Sequence, residues 1–158
     1  MHPNEQLIHN FYTSFQRRDG AGMTTCYHPD IIFSDPVFTH LQGSQAGAMW
    51  QMFCVRGNDL TVTFANVRAD GKTGSAHWEA TYTFSKTGRK VHNVIEAAFE
   101  FREGKIIRHT DSFNLWKWTR MALGAQGTLL GWLPAVQSAI RKDAGKTLDA
   151  FILKRSQE

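Results

Sequence analysis

The sequence predicts an α+β domain, with helices gathered against one face of a bent antiparallel sheet. Three observations predict it. Leu7, Ile8, Phe11, Tyr12 and Phe15 recur at helical spacing near the start. Between Leu60 and Phe113 the period falls to two, in four segments separated by turn residues. After Phe113 the helical period returns. Helices, then strands, then helices is the order of an α+β fold, and 158 residues, 42% of them hydrophobic, are enough for one domain with a real core.

Asp19-Gly20 ends the first helical run, and a short second helix is expected over Gly22 to Tyr27. "HPDIIFSDPVF" reads as a turn, a short apolar strand and a break imposed by Pro36. Ser44 suits the N-cap of a helix holding Ala46, Met49, Trp50, Phe53 and Cys54. "LTVTFANV" then sets Leu60, Val62 and Phe64 against Thr61 and Thr63. "SAHWEATYTF" puts Trp78, Ala80, Tyr82 and Phe84 on one face, and "RKVHNVIEAAFEF" does the same for Asn93, Ile95, Ala97, Phe99 and Phe101. "KIIRHTDSF" is the last strand. Asp70-Gly71, Lys86-Thr87-Gly88 and Glu103-Gly104 are the turns between them, so the four strands form an antiparallel meander. Leu115 to Leu123 is one helix, broken near Gly124 and Gly127. Pro134 can open the last helix, whose apolar stripe is Val136, Ile140, Ala144, Leu148, Phe151 and Ile152. The division expected is a domain over residues 1–123 and a helical extension, 124–158, packed on it.

Composition narrows the function classes. The net charge of +4 belongs to the tail: seven basic residues from Lys117 onward face three acidic ones, and the rest balances. No basic strip interleaved with aromatics marks the body, so nucleic acid is not an expected partner. The basic tail reads as the solvated face of a helix, and membrane contact through it is not expected. No apolar run approaches the roughly 18 residues of a membrane span. "MHPNEQLIHNFY" does not read as a secretory signal, and Cys26 and Cys54 form no metal or redox motif, so a reduced, cytoplasmic protein is expected. The seven histidines show no metal-ligand spacing, and no glycine-rich loop leads from a strand into a helix. No metal and no cofactor are expected.

The last strand poses the functional question. Ile107, His109, Asp111 and Phe113 share one face, and Ile106, Arg108, Thr110 and Ser112 the other. The first face looks destined for the interior, yet it carries two ionisable groups.

The stretches "FYTSFQRRDGAGMTTCYHPDIIFSDPVF", "GRKVHNVIEAAFEFREGKI" and "HTDSFNLWKW" give the chain, from Glu5 to Leu123, a resemblance to the NTF2-like superfamily. It is most similar to the SnoaL-like branch of polyketide cyclases, limonene-epoxide hydrolases and steroid isomerases. The resemblance implies a cone-shaped fold whose curved sheet and N-terminal helices enclose an apolar pocket, with the C-terminal helices as an addition. It places Asp35 where steroid isomerases carry their general base. Their oxyanion donors would fall on Phe11, with Tyr12 beside it, and on Ala97, so that activity in its standard form is not expected. Asp111 matches the catalytic Asp of the cyclases and the first acid of the hydrolase D-x-F-D pattern, but here the pattern ends in Asn114.

The site the resemblance implies has Asp111, Asp35 and His109 as its chemical groups. Tyr82, Trp78, Asn93, Ile95, Ala97, Phe99, Phe113 and Tyr12 would surround the ligand. A carboxyl group among apolar side chains loses solvation, which lifts its pKa toward the range of a general base. The bland readings stand beside this one: Asp35 as a turn residue before Pro36, His109 and Asp111 as a satisfied buried pair, Tyr82 as core. Glu79, Glu96, Glu100, His77 and His92 lie on the opposite strand faces, which in this superfamily often join two copies, so a homodimer through the outer sheet face is expected. The expected function is a cofactor-independent acid/base enzyme acting on a small apolar substrate. Its rival is a non-catalytic ligand-binding or dimerisation module. The tail helices are expected to cover an apolar flank, with a lid over the pocket as the second reading.

Overall fold

The computed structural model describes residues 1–157. In chain order the elements are α1 (Pro3–Gln16), α2 (Gly20–Thr25), β1 (Tyr27–Ser34), β2 (Leu41–Gln42), α3 (Ser44–Arg56), β3 (Thr61–Ala69), β4 (Thr73–Phe84), β5 (Arg89–Arg102), β6 (Lys105–Ser112), α4 (Leu115–Leu123), α5 (Ala125–Leu130) and α6 (Pro134–Ser156). One curved sheet runs β2-β1-β6-β5-β4-β3. The α+β class is as expected, and β3 to β6 form the antiparallel meander. β1 closes on the meander's last strand in parallel, with Phe33 beside His109. A parallel neighbour requires a crossover, here the long excursion from α3 to β5. No local pattern announces that pairing.

Helical periodicity places α1 against the sheet: Ile8, Phe11, Tyr12 and Phe15 are all buried. α3 covers the neighbouring stretch with Met49, Trp50 and Met52. Phe11, Phe15, Phe33 and Trp78 meet the Trp50 ring edge-on, at centroid distances of 5.2–5.9 Å. This aromatic layer is the core, and truncating any of its rings costs about 3–5 kcal/mol.

Four local expectations are corrected. α2 starts at Gly20 because the Asp19 side chain caps it, accepting from the Gly22 N–H at 2.9 Å; it ends at Thr25 with Cys26 as its C-cap, and Tyr27 opens β1. The cap of α3 is Gly43, not Ser44: its φ of +54° is a conformation that glycine adopts without strain. Phe101 pairs with Ile106 while Glu100 pairs with Arg108, so Ile107 is the extra residue of a β-bulge. The bulge turns Ile106 into the core and leaves Ile107 half-buried, yet keeps His109 and Asp111 inside. Gly127 does not break the chain but sits within α5, where a Cβ would overlap the Thr119 carbonyl; its absence lets α5 lie against α4.

Pro134 opens α6 as expected. Leu148 and Phe151 anchor that helix, and Ala144 and Ile152 pack beside them. Among the described residues no helix is long and apolar enough to cross a membrane.

Candidate functional site

Between the inner sheet face, α3 and the first half of α6 lies a cavity of about 730 Å³, a size suited to a small organic molecule. Phe15, Trp50, Phe53, Trp78, Ile95 and Phe113 make most of its deep wall apolar. Asp35, Tyr82, Asn93 and Asp111 bring polar atoms to it. Lys86 and Asp143, each more than half exposed, mark its rim.

Asp111 sits at the buried end of β6, with its side chain only 2% exposed. Its Oδ1 receives two hydrogen bonds, from the Trp78 indole at 3.3 Å and from His109 Nε2 at 2.9 Å. Behind it, His109 Nδ1 lies 2.7 Å from the Tyr27 hydroxyl, which accepts in turn from the Trp50 indole at 2.8 Å. Proton bookkeeping fixes the directions. The Trp50 indole can only donate, so Tyr27 gives its own hydrogen to His109 Nδ1, and His109 Nε2–H then points at Asp111. His109 is wholly buried, with Phe11, Phe33, Trp50 and Phe99 around its ring at centroid distances of 4.5–5.9 Å. With both nitrogens of His109, the Tyr27 hydroxyl and the Trp50 indole all partnered, this buried chain holds one geometry. Oδ2 of Asp111 accepts no hydrogen bond from the described residues and is left for the cavity.

Asp35 is both a turn residue and a cavity residue. Its Oδ1 accepts from the N–H groups of Val37 and Phe38 at 2.7 and 2.6 Å, bending the chain around Pro36. The same side chain lines the cavity. Burial pushes its pKa up to about 7; the Phe38 N–H opposes that shift, and the nearby Asp111 charge adds to it. Tyr82 accepts from the Trp118 indole at 2.8 Å, which leaves its own hydrogen to donate. Burial, and to a lesser degree the Asp35 charge, raises the pKa of that hydroxyl, so it stays protonated near neutrality. The Asn93 amide is buried and lines the cavity beside Tyr82.

Of the eleven residues expected at the site, Asp35, Trp78, Tyr82, Asn93, Ile95, Asp111 and Phe113 line the cavity. His109, Ala97, Phe99 and Tyr12 do not: they form the layer beneath it. His109 is thus placed to hold Asp111, not to meet a ligand. Tyr12 lies between Phe64 and Trp78, and its hydroxyl is the one fully buried side-chain polar atom among the described residues without a hydrogen-bond partner. Sequence reasoning missed Tyr27, Trp50 and Trp118. In the sequence Tyr27 reads as a helix end and Trp50 as plain core, and nothing links Trp118 to Tyr82. It also gave the tail mainly a covering role, whereas Val136, Ala139 and Ile140 of α6 face the cavity.

On the outer sheet face, His77 bonds Glu79 and Glu96, and His92 also bonds Glu79. Among the described residues no three His, Cys, Asp or Glu side chains are grouped to hold a metal ion.

A model of the SnoaL-like domain matches residues 8–109. Among solved structures, an NTF2-like protein of unknown function from Burkholderia pseudomallei superposes with a TM-score of 0.66 at 18% identity, over 77% of this chain and 98% of that one. An LEH-like epoxide hydrolase of M. tuberculosis gives 0.64 at 16% identity, over 84% and 96%. TerC, co-crystallised with polyporic acid, gives 0.64 at 20% identity, over 75% and 97%. At these identities the likeness is one of fold. No curated protein matches the sequence.

Proposed function

Taking as premise that the chain belongs to the SnoaL-like domain family, we propose that it is an acid/base enzyme that needs no cofactor and acts on a small, largely apolar substrate bearing an oxygen. The observation that carries this is the opening of two carboxyl groups, Asp111 and Asp35, onto one apolar cavity, with Asp111 held by His109, Tyr27 and Trp50. Asp111 takes a proton from the substrate, or from a water that attacks it, at its unoccupied Oδ2. Asp35 returns a proton to the substrate oxygen; with a pKa of about 7 it is partly protonated at neutral pH. The Tyr82 hydroxyl and the Asn93 amide orient that oxygen. His109 and Tyr27 are positioning residues. Isomerisation, cyclisation, dehydration and epoxide opening all use this pair of proton transfers.

The test uses a panel of small cyclic ketones, enones and epoxides in deuterated water. The wild type is expected to incorporate deuterium into, or to open, at least one of them. Asp111→Asn is expected to lose this activity by about 10²–10⁴-fold while still binding the same compound. Equal activity in wild type and Asp111→Asn sinks the proposal. A binding module without turnover is the second reading, favoured by Ala97, which faces Asp111 across the ladder and offers no second acid there. It predicts saturable binding without exchange across the whole panel.

A further inference from the structure

The 23-residue α6 is held unevenly. Its buried residues, Leu148 and Phe151, both lie in the second half, where the helix packs on α3. From Pro134 to Thr147 no residue is buried. Three polar contacts tie that first half down: Gln137 donates to the Gly131 carbonyl at 3.0 Å, Arg141 donates to the Pro36 carbonyl at 2.8 Å, and Asp143 pairs with Lys86 across the rim. Yet this weakly held half covers the cavity, with Ala135, Val136, Ala139, Ile140 and Ala144 turned toward it.

Gly145 stands where the loose half meets the anchored half. Beyond its own turn of helix, no atom lies within 4 Å of the place a Cβ would occupy. Packing therefore gives no reason for a glycine, and glycine is the weakest helix former after proline. Segments with few buried contacts are the ones that open locally. A helix softened at one residue, apolar toward a cavity and fastened by an exposed ion pair, has the parts of a moving cover.

We propose that residues 134–144 form a hinged roof that admits and selects the ligand. The roof lifts about Gly145, and the small side chains of Ala135, Ala139 and Ala144 set how bulky a molecule it can close over. This rests on the reading of the cavity as a ligand site. The five side chains that α6 turns to the cavity are apolar, whereas Asp111 stands on the sheet and Asp35 on the turn after β1, so the ligand the roof fits has a hydrocarbon end under α6 and an oxygenated end toward Asp35 and Asp111. Closure also reaches the chemistry, because Arg141 holds the carbonyl of Pro36, the residue after Asp35. Lifting the roof frees that turn, and closing it fixes the acid in place.

Stopped-flow binding of the neutral fluorescent probe N-phenyl-1-naphthylamine tests the roof without any need for turnover. Gly145→Ala stiffens the hinge, and both association and dissociation are expected to slow by about threefold or more while the thermal midpoint rises. Asp143→Asn removes the latch, and both rates are expected to rise by a similar factor. Ala139→Leu fills space under the roof and is expected to weaken equilibrium binding by roughly tenfold. Amide hydrogens of residues 136–144 are expected to exchange faster than those of 148–153. Unchanged rates in both Gly145→Ala and Asp143→Asn, with the probe still bound, overturn the roof. A wild type that binds no probe overturns the cavity reading and the roof together. Altered rates beside an inactive panel leave the roof standing and remove only the enzyme.

Discussion

Three strands carry a histidine followed two residues later by an acid; beside His28 and Asp30 on β1, two such pairs bond each other through their side chains, His109–Asp111 on β6 and His77–Glu79 on β4. Both pairs are hydrogen-bonded, at 2.9 and 2.7 Å. The inner pair is 0% and 2% exposed, the outer pair 24% and 33%. The inner histidine has one partner on each nitrogen, Tyr27 and Asp111, in a single directed chain. The outer histidine bonds two glutamates, Glu79 and Glu96, and shares Glu79 with His92, all of them open to water and salt. Spacing along a strand is therefore no measure of chemistry. The sheet face a pair occupies decides whether water can replace its partners.

Asp111→Asn breaks the comparison hardest. A turnover loss of about 10²–10⁴-fold is expected, against none for Glu79→Gln in the same deuterium-exchange assay. Equal losses at both positions would make the two pairs alike after all.

Asp35→Asn comes next, read through pH. The folded-state pKa of Asp35, about 7, lies above its ordinary 3.8, so folding favours the protonated acid. Between about pH 4 and 7 the unfolded chain releases this proton first, and stability falls as pH rises, by at most about 4 kcal/mol. Urea titrations at pH 4, 5.5 and 7 are expected to show that slope in the wild type and a flatter one in Asp35→Asn. If Asp35 delivers a proton, wild-type turnover also declines above about pH 7.

Tyr27→Phe is smaller. It keeps the ring but strips His109 Nδ1 and the Trp50 indole of their shared partner, at a cost of about 1–3 kcal/mol in urea unfolding. Turnover is expected to fall less than in Asp111→Asn, because the acid itself remains.

The outer pair gives the least. Hydrogen bonds to Glu96 and Glu79 raise the His77 pKa above 6.5, and hydrogen bonds from His77 and His92 lower that of Glu79 below 4.5. Their mutual stabilisation is thus complete between those ordinary values. It fades as pH rises through the His77 value and as it falls through that of Glu79. Glu79→Gln is expected to lower the thermal midpoint slightly near pH 5.5 and not at all in strong salt.

Much of the fold was legible because its signals are local. Alternation named β3 to β6 and their order, and Pro134 named the start of α6. Asp35 and Asp111 were legible as acids on faces that otherwise look apolar. The rest depends on contacts distant in sequence. Strict alternation puts Ile107 on the inner face, because a bulge is invisible until the partner strand is in register. Tyr27 reads as a helix end because nothing in the sequence marks the stop of α2 at Thr25, where Cys26 is the C-cap. A cover over the cavity is only the second reading of the tail because one apolar stripe on α6 serves two surfaces: Val136 and Ile140 face the cavity, Leu148 and Phe151 the core.

The parallel join of β1 to β6 has a consequence in time. The contact between Tyr27 and His109 closes a loop of 82 residues, and long loops are closed late because the chain must surrender their entropy before any contact rewards it. A nascent chain can build α1, α2 and the first hairpins as they emerge, but β1 has no neighbour on that side until β6 has been synthesised. Until then Phe11, Phe33 and Trp50 lack the imidazole and the strand that complete their layer. The proton-handling centre is thus among the last parts of the molecule to assemble, and its arrival seals the core it stands in.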